Sequence, residues 1–65
     1  MNQKIYLSVE DVAKQFGLNT TTVYRLAQRG ALPGFKVGGQ WRFQRVDIDH
    51  WIEQQKANAR DEGER

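Results

Sequence analysis

Sixty-five residues leave room for one small domain, near the size at which a single core is marginally stable. The absence of cysteine and a lone histidine, His50, exclude a disulfide framework and a Cys/His zinc site. The formal charge of +2 is segregated: no acid stands between Val12 and Val46, where Lys14, Arg25, Arg29, Lys36, Arg42 and Arg45 are basic, and all eight acids lie outside. Such segregation favours a polyanionic partner.

In chain order, MNQKIYLS lacks a long apolar h-region, and no apolar run approaches a membrane span. The expectation is a cytoplasmic, nucleoid-associated protein. Ile5-Tyr6-Leu7 reads as a short strand or an extended lead-in. Ser8 then opens a first helix, with Asp11 completing a capping-box variant and Leu7 and Val12 spaced as a hydrophobic staple. Val9, Val12, Ala13 and Phe16 follow helical spacing and form its buried stripe. Gly17 ends it in the left-handed conformation, with Leu18 expected to pack back.

Asn19 or Thr20 can cap a second helix, TTTVYRLAQR. Val23, Leu26 and Ala27 form its apolar arc. Thr21, Arg25 and Gln28 point the opposite way, flanked by Thr22, Tyr24 and Arg29, and no acid is among them. Arginine bonds guanine bidentately, glutamine does the same with adenine, and threonine offers a hydroxyl and a methyl. The tight Gly17-Leu18-Asn19 connection is the helix-turn-helix signature. Gly30 closes the second helix, and Pro33-Gly34 forbids its continuation.

Phe35-Lys36-Val37 and Trp41-Arg42-Phe43 then read as two strands around Gly38-Gly39-Gln40. A two-residue glycine loop pairs Lys36 with Trp41 and sets Phe35 and Val37 on the face opposite Trp41 and Phe43. A three-residue loop pairs Val37 with Trp41, Lys36 with Arg42 and Phe35 with Phe43. It puts all four apolar side chains on one face and both cations on the other, and is the register expected. A third helix is expected from about Asp47 to Gln55 or Lys56, with Ile48, Trp51 and Ile52 inward and Asp47 and Asp49 favoured in its first turn. Residues 1–56 form the domain, and 57–65 read as a disordered polar tail.

SVEDVAKQFGLNTTTVYRLAQRGALPGFKVGGQWRFQRVDIDHWI resembles the excisionase-type, AlpA-like helix-turn-helix domain, a branch of the MerR-like winged-helix superfamily. The resemblance runs from Leu7 to about Gln55. It is carried by TVYRL, by the G-x-LPG step, by the KVGG-x-WRF hairpin and by the terminal D-I-D-x-W-I helix. It implies a mainly α fold, a winged helix-turn-helix of three helices and a two-stranded wing. The second helix would lie in the major groove of double-stranded DNA, and the hairpin on the backbone or minor groove. Carried over by position, Thr21, Thr22, Tyr24, Arg25 and Gln28 are groove residues. Arg29, Lys36, Gly39, Gln40 and Arg42 are backbone or wing contacts. Two departures stand out. Val46 occupies a position where relatives often cap the third helix, a loss of about 1 kcal/mol. Gln40 replaces a frequent arginine at the wing tip.

Parity places Trp41 inward, and Trp51 follows the helical stripe into the core. Tyr24 lies at the edge of the apolar arc, where packing and phosphate bonding are both open to it. His50 reads as a surface residue. No nucleophile–base pair, phosphate loop or metal set is present, so neither an enzyme nor a cofactor is expected. The function expected is sequence-specific DNA binding, as a small transcriptional regulator or recombination accessory factor. One short helix reads few base pairs, which points to self-association on DNA or to a larger partner such as a recombinase or RNA polymerase. The rival readings are a protein–protein adaptor and the targeting module of a larger enzyme.

Overall fold

The computed structural model describes residues 5–63, and the side chains of residues 5–59. The ends of the expected domain and tail, residues 1–4 and 64–65, lie outside the described residues. The chain runs β1 (Tyr6–Leu7), α1 (Val9–Phe16), α2 (Thr20–Gln28), β2 (Phe35–Val37), β3 (Gln40–Gln44) and α3 (Arg45–Gly63). This is a winged helix-turn-helix, three helices with a small antiparallel sheet of order β1-β3-β2.

The local signals around α1 act as read. Asp11 N–H donates to Ser8 Oγ at 3.1 Å, and Ser8 N–H donates to Asp11 Oδ2 at 3.0 Å, closing the capping box. Gly17 has φ 67°, which lets Leu18 N–H donate to the Ala13 carbonyl at 2.8 Å. Leu18 itself is 39% exposed and lies outside the core cluster. The α2 cap falls on Asn19, whose side chain makes no capping hydrogen bond.

One core joins every layer: Leu7, Val9, Val12, Ala13, Val23, Ala27, Leu32, Phe43 and Ile48 are buried, with Phe16, Leu26, Trp41, Trp51 and Ile52 packed around them. Burial of these side chains is the main force holding the three helices and the small sheet together. Trp51 Nε1 donates to the Ala31 carbonyl at 2.8 Å, and its ring meets Phe16 edge-on at 5.6 Å. A single α3 side chain therefore braces both the exit of α2 and the end of α1.

The hairpin corrects the expected register. Val37 pairs with Gln40, Lys36 with Trp41 and Phe35 with Arg42, so the loop is the two residues Gly38 and Gly39. Their φ values of 56° and 81° are the left-handed pair that a type I′ turn requires, and that turn matches the twist of the strands. Lys36 thus shares the inner face with Trp41 and Phe43, while Phe35, Val37 and Arg42 share the outer one. The expectation rested on gathering all four apolar groups on one face. The turn geometry prevails because β2 is an edge strand lying beyond the core, where little burial is at stake.

The expected bounds of the third helix also need correction. α3 starts at Arg45, directly after β3, where Arg45 N–H donates to the Ile5 carbonyl at 2.9 Å. It continues through Gly63 rather than ending at Gln55 or Lys56. Once Ile48 has docked, propagation costs little, and Lys56, Ala57, Ala59 and Arg60 are strong helix formers with no proline or glycine before Gly63.

Gly34 is a packing requirement as well as a breaker. A Cβ there would stand 2.6 Å from Phe43 Cε2 and 2.7 Å from Cδ2, against a ring that is 0% exposed, so one of the two must shift. Gly34→Ala is expected to cost about 1–3 kcal/mol through overpacking. Thermal unfolding checks this, and an unchanged Tm would show that the ring can move aside.

Candidate nucleic-acid interface

The second helix divides by burial as its sequence divides by chemistry. Val23 and Ala27 are buried in the core, and Leu26 is half-buried against it. Thr21, Tyr24, Arg25, Gln28 and Arg29 are exposed, and Thr22 is half-buried. Among the described residues neither Arg25 nor Arg29 has an ion-pair partner, so both guanidinium groups are available to a ligand. The helix is positioned by short range and long range together: the tight Gly17 turn sets its angle to α1, and the Trp51–Ala31 bond fixes its C-terminal end.

The wing stands beside it. Lys36, Gly39 and Gln40 are exposed, and Arg42 is half-buried. Arg42 Nη2 donates to Gln40 Oε1 at 2.8 Å and Nη1 to the Trp41 carbonyl at 3.1 Å, which holds the guanidinium in one orientation. Gln40, read as a weakened phosphate contact, thus serves as a buttress for Arg42. Lys36 Nζ lies 5.9 Å from the Trp41 ring centroid, within cation–π range.

A crevice of about 160 Å³ joins wing to helix, with Ser8, Glu10, Tyr24, Gln40 and Arg42 among its walls. It brings together three of the sequence-selected residues, Tyr24, Gln40 and Arg42. It also brings in Ser8, which the sequence marked only as a helix cap, and Glu10, which it did not single out. The register separates Lys36 from Arg42, placing one cation on each face of the hairpin. Tyr24, 46% exposed, resolves towards the surface rather than the core. Trp41 is half-buried and stacks with Phe43 at 6.5 Å, so it packs inward, although its Nε1 is buried without a hydrogen-bond partner among the described residues.

Residues 6–56 match the family model described as Helix-turn-helix domain. The chain belongs to that family, which is of the AlpA/excisionase-like type. No curated protein and no solved structure matches it. The match spans every element from β1 into α3, so the helix-turn-helix domain includes the strand that precedes α1 and the wing. A helix-turn-helix domain suggests DNA as partner. Among the described residues no group of three or more His, Cys, Asp or Glu is placed to hold a metal ion. Among the same residues, no helix is long and apolar enough to cross a membrane.

Proposed function

We propose that this helix-turn-helix domain binds double-stranded DNA sequence-specifically, with α2 in the major groove, as a small transcriptional regulator or an excisionase-type recombination accessory factor. It would sit within the MerR-like winged-helix superfamily and have no catalytic step of its own. The observation that carries the reading is the exposed face of α2 and its cap: Arg25, Arg29, Gln28, Tyr24 and Thr21, opposite a buried Val23 and Ala27. Arg25 and Gln28 are one turn apart at i,i+3 and present bidentate groups to neighbouring base edges. Arg29, Tyr24 and Arg42 would contact phosphates, setting orientation rather than sequence.

The register favours the minor groove for the wing over a flat seat on one backbone. A slender Gly38-Gly39 tip with Lys36 on one face and Arg42 on the other suits a slot walled by phosphates on both sides. Occupancy by so short a recognition helix would call for paired sites, self-association on DNA, or a partner such as a recombinase or RNA polymerase.

The test is selection of bound sequences from a random duplex library at two salt concentrations. A short motif should be enriched, and affinity for it should fall with a log–log salt slope of about −3 to −4.5, for roughly three to five phosphates neutralised. Binding without any motif would overturn sequence specificity. Absence of binding at low salt would overturn the DNA reading.

A further inference from the structure

The corrected register leaves an apolar surface on the outer face of the wing. On the outer sheet face Tyr6 is 53%, Phe35 40% and Val37 55% exposed. Tyr6 and Phe35 touch edge-on across β3 at 6.3 Å, and a cleft of about 340 Å³ runs between Tyr6, Phe35, Val37 and Arg42. Contiguous exposed apolar groups of this kind mark contact sites on small domains. Beside them β2 is an edge strand. Val37–Gln40 flanks a two-residue turn and is a hydrogen-bonded pair, so the alternate residue, Lys36, turns its N–H and C=O outward to the open edge.

We propose that the open edge of β2 and the apolar face beside it bind an extended segment of a partner protein, with an acidic residue between two apolar ones. The geometry sets this pattern. A strand added to β2 bonds through Lys36, and its residue opposite Lys36 shares the inner face with that ammonium group, where a carboxylate pairs with it. The residues on either side fall on the outer face against Phe35 and Val37, where apolar groups gain burial. The charge is complementary: the cations at this corner are Lys36 and Arg42, and none of the side chains β1, β2 and β3 contribute is acidic. A second copy of the chain does not supply the segment. Its one apolar–acid–apolar triplet, Val46-Asp47-Ile48, is wound into α3 with Ile48 wholly buried. A phosphate backbone satisfies Lys36 and Arg42 but offers nothing to Tyr6, Phe35 and Val37, so peptide and DNA would compete for this corner and the test is run without DNA.

The probe is a capped peptide of alternating valine and glutamate, titrated without DNA into the isotope-labelled protein and followed by amide chemical shifts. Saturable shifts should concentrate at Phe35, Lys36, Val37 and Tyr6. A valine–lysine peptide should bind about tenfold more weakly, since the cross-strand pair turns from attractive to repulsive. Lys36→Glu should reverse that preference, with unchanged Val12 and Phe43 signals showing that the variant is folded. Equal binding of both peptides, shifts centred on α2, or no saturable binding would overturn the proposal. So would sedimentation showing a dimer formed through β2, which would make a second copy the occupant.

Discussion

Replacing Arg25 by alanine is expected to lower affinity for the selected duplex by about 1–3 kcal/mol, roughly fivefold to 150-fold, and to erase the preference at one base position. The size of the effect follows from bidentate geometry in a groove, where a guanine left without its partner discriminates little between sequences. Binding to unrelated duplex should fall much less, because only one cation is lost from a set spread over α2 and the wing. Arg25→Lys separates the two contributions: it keeps the charge and loses the planar fork, so non-specific binding should recover while discrimination should not. Gln28→Ala should relax a neighbouring position by a similar amount. If the alanine variants select the same motif as the parent with the same spread of affinities, α2 is not the reading element.

Phe43→Ala is expected to unfold most of the protein. The side chain is 0% exposed at the centre of the core, pairs across the sheet with Leu7 and stacks beside Trp41. Truncating a buried phenylalanine costs about 3–5 kcal/mol, comparable with the total stability of a domain this small, about 3–10 kcal/mol at roughly 0.05–0.15 kcal/mol per residue. Phe35→Ala is the matched control. With Phe35 on the outer face and 40% exposed, its loss should cost less than about 1 kcal/mol. Far-ultraviolet circular dichroism through a thermal ramp distinguishes the two. A large effect at both positions would mean that the rings share one face, as the three-residue loop requires, and would refute the two-residue register.

The parts of the fold legible in the sequence are those set over a few neighbouring residues. Ser8, Asp11 and Gly17 delimit α1 because caps and left-handed turns are satisfied by backbone groups three to five positions away. The two faces of α2 were legible for a similar reason, since helical periodicity converts spacing into direction without reference to anything else. The hairpin was legible as a hairpin and misread in its register. Parity can say which side chains travel together, but a slip of one residue exchanges the faces.

Tertiary structure decided the rest. That β2 is an edge strand beyond the core, and so keeps its glycine turn while exposing Phe35 and Val37, depends on β1 occupying the other side of β3. That Gly34 has no room for a Cβ depends on where the Phe43 ring comes to rest, nine positions later. That Trp51 secures α2 depends on a hydrogen bond to a carbonyl twenty residues earlier. By itself the sequence determined the three helices, the turn between the first two, and which residues α2 presents. Only packing determined how the wing faces, where α3 begins, and what lies open beside it. Local hydrogen bonding and periodicity are written in adjacent residues, whereas register and exposure are set by which distant surfaces the core brings into contact.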